Sequence, residues 1–323
     1  MTRTTGRSRV RGGSRPGQRR AAAAAERLAR ARRAERRRRR LKWGAAAGIL
    51  LLTGAVLFLI FRGGDTPTEG TAGPQPTLSV GGDLHTVTTI GDALYVGGHE
   101  AVAVSRDGGA SWQQITSLDN ADAMGWAVTQ DAILVGGHPG LYRSNDAGAT
   151  FTPVAGAAAV PDVHALGGAD TTLYLASPQA GLLTSTDGGQ TWQVRNAEAG
   201  RSFMGTILVD PKDPDRIVAP DMTGGLTTST DGGRTFTPLG GPAGAMAAAW
   251  NPTDVKQIIA IGMNGAARSI DGGISWQDIA VPEGTSAITY AADGRTTYAA
   301  ALVDEQARTY RSTDAGATWQ PTS

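Results

Sequence analysis

The 323-residue sequence predicts an all-β fold, a six-bladed β-propeller preceded by one N-terminal transmembrane helix, and three observations carry that expectation. One eight-residue pattern recurs six times at a spacing near forty residues. Short apolar runs separated by turn residues fill each period, as a meander of strands requires. A single uncharged apolar run stands ahead of the repeats.

The chain begins strongly basic. Residues 1–42 hold seventeen of the thirty Lys and Arg and only two of the twenty-nine acids, Glu26 and Glu35, a balance of +15 that leaves −14 on the remainder. A net charge of +1 therefore hides a basic head and an acidic body, which suggests two compartments. The first seventeen residues are Gly, Ser, Thr and Arg and read as disordered, whereas the Ala, Arg, Leu and Glu that follow favour a helix. Such a segment could bind RNA. Attraction to anionic lipid headgroups, about 1 kcal/mol per Lys or Arg, is the simpler expectation, and no nucleic-acid partner is expected.

Residues 44–61, GAAAGILLLTGAVLFLIF, contain no charge. At about 1.5 Å per residue they span roughly 27 Å of hydrocarbon. Arg36 to Arg40 and Lys42 precede the run and only Arg62 follows it directly, so the positive-inside bias sets the N-terminus in the cytoplasm. A cleaved secretory signal is the rival reading, but the apolar core is long for one and FRGGDTP offers no A-x-A site. The expected organisation is a basic cytoplasmic tail over 1–42, a transmembrane helix over 43–62, a Gly, Pro and Thr linker over 63–76, and an extracytoplasmic propeller over 77–323. The absence of cysteine removes disulfides, thiolate metal sites and Cys nucleophiles together.

The repeats are SRDGGASW from Ser105, SNDAGATF from Ser144, STDGGQTW from Ser185, STDGGRTF from Ser229, SIDGGISW from Ser269 and STDAGATW from Ser312. Their aspartates, Asp107, Asp146, Asp187, Asp231, Asp271 and Asp314, fall 39, 41, 44, 40 and 43 residues apart. That is the length of a four-stranded blade. In the first blade the strands are expected at His85 to Ile90, Ala93 to Val96, Ala101 to Ser105 and Ser111 to Ile115. Ring closure is expected from Thr77 to Val80, as an added edge strand on the last blade.

The motif S-x-D-x-G-x-[ST]-[WF] resembles the Asp-box, or BNR repeat, of sialidases, sortilin-type receptors and photosystem assembly factors. The resemblance implies a structural role. The Asp accepts backbone N–H bonds in a tight hairpin, the Gly takes a positive φ, and the aromatic residue buries between blades on the side away from the active face.

Aligning the blades on the start of their first strand gives His85, Met124, His164, Met204, Met246 and Ala287. Aligning them on the end of the second gives His99, His138, Pro178, Met222, Met263 and Leu302. Nine of these twelve positions are His or Met, and they include all four histidines and every methionine except Met1. Both positions of a propeller blade face one mouth of the central channel. Imidazole and thioether donors without cysteine suit copper, Cu(I) in particular, better than calcium or magnesium. The expected metal-site residues are therefore His85, His99, His138, His164, Met124, Met204, Met222, Met246 and Met263. A buried Met is more often a gap filler and a single His more often a hydrogen-bonding residue, so the joint pattern carries this expectation.

The segments Asp83-Leu84-His85, Asp162-Val163-His164-Ala165-Leu166, LYVGGHE and GGHPGLYRS are also similar to bacterial Asp-box proteins assigned by similarity to the glycosyl hydrolases. A sialidase-like site would need an arginine triad and a Tyr nucleophile. Arg106, Arg143, Arg268 and Arg311 instead sit beside the boxes. A two-carboxylate hydrolase would draw on Glu100, Asp221 and Asp304 at second-strand ends, or on Asp83, Asp122 and Asp162 before first strands. The reading that results is a binding or assembly module at the membrane with a protein, glycan or metal ligand, and its alternative is a glycoside hydrolase acting on extracellular glycans.

Overall fold

A computed structural model describes residues 78–154 and 160–322. The basic tail, the apolar run over 44–61 and the linker lie outside the described residues, and with them the expected transmembrane helix. No helix among the described residues is long and apolar enough to cross a membrane. The blades all fall within one compact unit, Ala72–Ser323.

Six antiparallel meanders follow one another along the chain, each pairing its strands in sequence order. Their first strands begin the blades at Leu84–Ile90, Gly125–Val128, Ala165–Ala169, Leu208–Asp210, Ala245–Asn251 and Thr285–Tyr290. Blade 1 continues with Ala93–Gly98, Val102–Ser105 and Gln113–Gln114. Its last strand is shorter than the sequence predicts. Ser111 is drawn into the box by two bonds to Asp107, from its N–H at 2.9 Å and from its hydroxyl at 2.5 Å, so pairing with the third strand starts only at Gln113.

Six apolar clusters lie between neighbouring blades and replace a single central core. The one between blades 1 and 2 joins Tyr95, Val104, Trp126 and Phe151, and the one between blades 2 and 3 joins Leu134, Leu166, Leu175 and Trp192. Box aromatics belong to these seams, as the motif implies. Trp276 Nε1 donates to Leu239 O of the preceding blade at 3.2 Å, and Trp319 Nε1 donates to Ala280 O at 3.1 Å.

Blade 4 departs from the pattern. Gly205–Thr206 pairs in parallel with Ala165 and Leu166 of blade 3, so that blade 3 has a fifth strand and Ile207 is pushed against it. A side chain at Gly167 would place its Cβ 1.7 Å from Ile207 O, so the approach requires glycine there.

The ring closes through both ends of the domain. The outer strand of blade 6, Gln320–Pro321, pairs with Tyr310 and Arg311. Further along the same edge, Leu78 forms an antiparallel bridge with Ala307, whose N–H donates to Leu78 O at 2.8 Å. Two residues later Val80 O accepts from Glu100 N in blade 1 at 3.0 Å. The segment expected to close the ring thus does so with a single bridge, and Val80 is fully buried in the seam between blades 6 and 1.

Candidate functional site

Strand direction assigns the boxes and the histidines to opposite ends of the propeller. Each first strand runs from the mouth toward the far end, the second returns, the third runs away again, and the box turns it into the fourth. Boxes therefore share the end that receives the first-to-second hairpins. Second-to-third loops and the connections into first strands occupy the mouth.

At the box end every aspartate is saturated. In the third box the Ser185 hydroxyl donates to Asp187 Oδ1 at 2.7 Å and accepts from Gly189 N at 2.9 Å. Thr191 donates its N–H to Oδ1 at 2.9 Å and its hydroxyl to Oδ2 at 2.5 Å. The same four-bond scheme recurs around Asp107 and Asp314. Hydrogen bonds to the charged form favour it. The Thr191 bonds first, then that from Ser185, lower the Asp187 carboxyl to about 2, and Ser111 and Ser105 act likewise on Asp107, to about 2. With three or more hydrogen bonds holding each in its charged form, such carboxylates are poor acids or bases.

The mouth is built from the second-to-third loops and the connections into first strands. His99 N donates to Asp83 O at 3.2 Å, Asp122 N donates to His138 O at 3.0 Å, and Val163 N donates to Gly137 O at 2.9 Å. The last of these joins blade 3 to blade 2, and Ala123 N, donating to Gly98 O at 3.2 Å, joins blade 2 to blade 1. In the connection into blade 2, Ala121 and Ala123 are buried on one side and leave Asp122 on the other, facing the loops that carry the histidines. A Cβ on Gly137 would lie 2.0 Å from Asp122 O, so the two connections touch through their backbones.

His99 Nδ1 lies 2.9 Å from Asp122 Oδ1, with the His99 side chain 63% exposed and that of Asp122 only 13% exposed. The His85 ring stands edge-on to His99, with centroids 6.1 Å apart. One ligand atom from each of His85, His99 and Asp122 lies within 4.8 Å of the other two. His164 Nε2 faces Asp162 Oδ1 at 3.0 Å, and Gln179 donates to the other oxygen of Asp162 at 3.2 Å.

The electrostatics tie these groups into one field. Burial lowers His85 below the ordinary imidazole value, Asp83 and Asp122 oppose that effect, and the charges of His99 and His164 add to it. Burial also raises the Asp122 carboxyl, against the pull of His99, His85 and His138, while Asp162 adds to the rise. His85, His99 and Asp122 thus form the compact part of this cluster, and His164 pairs separately with Asp162.

The methionines take the equivalent positions elsewhere on the ring. Met204 N donates to Pro220 O at 3.1 Å and Met222 N donates to Ser202 O at 3.0 Å, both in blade 4. Met263 N reaches Ala243 O at 3.2 Å in blade 5. Near the axis, Gly205 adopts φ 68°, and a Cβ there would lie 2.9 Å from Met246 O and 3.9 Å from Met124 O. Met124 is buried, Met222 is 41% exposed and Met263 is 63% exposed. At the opposite end, first strands of blades 1, 4, 5 and 6 line a cavity of about 280 Å³ that includes Thr89, Trp250 and Tyr290.

The hydrolase candidates separate. Asp221 accepts from the N–H and hydroxyl of Thr223 at 2.8 and 2.7 Å, and Asp304 sits in a turn at φ 52°. Tyr95 and Tyr174 are each 1% exposed, inside the core. Asp122 and Asp162 instead belong to the histidine cluster. Sequence reasoning left Asp122 outside the metal set, although Asp83-Leu84-His85, Asp122-Ala123-Met124 and Asp162-Val163-His164 share one D-x-[HM] spacing in three successive blades.

The class that fold and sequence define is a six-bladed β-propeller built on BNR/Asp-box repeats, and the BNR/Asp-box repeat family model matches residues 183–194, across the third box. Among solved structures the chain is similar to the GH74 xyloglucanase from Xanthomonas campestris, with 18% identity and a TM-score of 0.51. The likeness covers 77% of this chain and 46% of that one, so the chain spans less than half of the xyloglucanase. It is also similar to YCF48 bound to D1 peptide, with 16% identity, a TM-score of 0.50 and coverage of 76% and 83%. A third similar structure is the nidogen/laminin complex, with 12% identity, a TM-score of 0.56 and coverage of 71% and 91%. At these identities the likeness shows the fold alone. No curated protein matches the sequence.

Proposed function

We propose that the chain is a membrane-anchored, extracytoplasmic β-propeller that works as a binding or assembly module through its histidine-lined mouth, where it holds a soft metal, copper. The observation that carries this reading is the approach of His85 and His99 to Asp122 at the mouth, one ligand atom of each lying within 4.8 Å of the other two. Met124, Met204, Met222, Met246 and Met263 complete the ring positions and supply thioether donors suited to Cu(I). The span over 43–62 anchors the domain, and the basic tail over 1–42 lies on the cytoplasmic leaflet. Two similar propellers support a docking role, since one is bound to D1 peptide and the other stands in a complex with laminin.

A glycoside hydrolase, sialidase-like or other, acting on extracellular glycans is the second reading. Asp122 favours it, because a partly buried carboxyl raised toward neutrality beside a second acid, Asp162, is what a general acid needs. One preparation separates the two. The full-length chain, purified in detergent and offered copper, is expected to retain the metal at a stoichiometric ratio and to lose it in a His138→Ala variant. No retained copper, together with turnover of fluorogenic glycosides that disappears in Asp122→Asn, would select the hydrolase.

A further inference from the structure

The nine aligned His and Met side chains do not form one uniform donor ring. The imidazoles belong to blades 1, 2 and 3, whereas Met222 and Met263 belong to blades 4 and 5, across the axis in a six-membered ring. Within the imidazole half, the tightest grouping is a pair of nitrogens and one carboxylate oxygen, from His85, His99 and Asp122.

We infer that His85, His99 and Asp122 form a discrete three-ligand centre for a borderline divalent transition-metal ion of the zinc(II) or copper(II) class, with its remaining coordination positions open to solvent. The inference rests on the reading of the mouth as a metal-binding face and narrows it to a nitrogen and oxygen donor set. Zinc bonds of about 2.0–2.1 Å in a tetrahedral array set ligand atoms about 3.4 Å apart. His99 Nδ1 and Asp122 Oδ1, 2.9 Å apart, need only part by about half an ångström to reach that spacing, and the full trio at 4.8 Å or less needs contraction of about an ångström or a little more. The exposed His99 ring supplies the freedom for it.

Charge supports a divalent ion over a monovalent one. Asp122 lies 2.9 Å from His99, and Asp83 stands two residues before His85 in the chain, so the imidazoles have carboxylates at hand. A 2+ ion is attracted by that field more strongly than Cu(I). Two imidazoles disfavour calcium and magnesium, which take oxygen ligands. Blades 1 and 2 bring the ligands in on three different connections held by backbone hydrogen bonds, so the centre is assembled by the fold and not by a local sequence motif.

The test titrates the full-length chain in detergent micelles with Zn(II), and separately with Cu(I) under reducing conditions. The variants are His99→Ala, Asp122→Asn and the double change Met222→Leu with Met263→Leu. One Zn(II) per chain is expected, weakened at least tenfold in His99→Ala and in Asp122→Asn, while the methionine double variant reads out any Cu(I) site. Zn(II) binding indifferent to both His99→Ala and Asp122→Asn would overturn the assignment. Absence of Zn(II) binding alongside methionine-dependent Cu(I) binding would overturn it as well, while leaving the copper reading of the mouth in place. Failure of both ions to bind would remove both.

Discussion

The two ends of the propeller use the same side chain for opposite purposes. At the box end each box aspartate accepts three or more hydrogen bonds from its own hairpin, with Asp187 held by Ser185 and Thr191. At the mouth Asp122 is far less exposed, meets His99 alone at hydrogen-bond distance, and is raised by burial. Local hydrogen bonding decides the first case and desolvation the second. Ligand capacity follows from what is left unsatisfied, so six nearly identical boxes form a scaffold while a less regular cluster forms the candidate site.

Acid should expose the contrast most strongly. The box carboxyls fall to about 2 in the folded chain, at Asp107, Asp146, Asp187, Asp271 and Asp314, against about 3.9 when unfolded. Their contribution is complete above the unfolded value and is lost as pH falls from near 4 toward 2. Asp122 has the opposite sign, since its raised carboxyl favours the folded state below the unfolded value and loses that advantage as pH rises through the folded one. Circular-dichroism melts of the full chain should show a midpoint that drops steeply between pH 4 and pH 2 in roughly that window. A flat profile there would contradict the box geometry.

A single box can be broken on its own. Ser185 is buried, and its hydroxyl bridges Asp187 and Gly189. Ser185→Ala strands the Gly189 N–H and should lower stability by about 1–3 kcal/mol, measured by urea denaturation. The smallest effect is expected at the mouth. His99→Ala removes a largely exposed partner and should cost less than about 1 kcal/mol in the same assay. A loss there as large as that of Ser185→Ala would make the histidine cluster a structural feature and not a binding one.

The boxes were legible because their chemistry is local. Spacing within eight residues specifies the hairpin, and recurrence near forty specifies the blade. Strand ends were less legible, as at Ser111, where a side chain that looks like strand is taken up by the turn. The mouth was read in half. Alignment places His85 and His99 at the first-strand start and second-strand end of one blade, but Asp122 lies on the next connection, where the sequence marks it only as one of several acids before first strands. Nor could periodicity distinguish a covered Met124 from an open Met263, because exposure depends on how the loops of adjoining blades lean. The fifth strand that Gly205–Thr206 adds to blade 3 had no signal in the repeat, since it arises from parallel contact between blades.

The bridge between Leu78 and Ala307 has a mechanical consequence. Whatever pulls on the chain ahead of Leu78 transmits its force first to the third strand of blade 6 and, through Val80 O and Glu100 N, to blade 1. Traction from the N-terminal side is therefore delivered to the weld of the ring, where opening one latch would release two neighbouring blades at once.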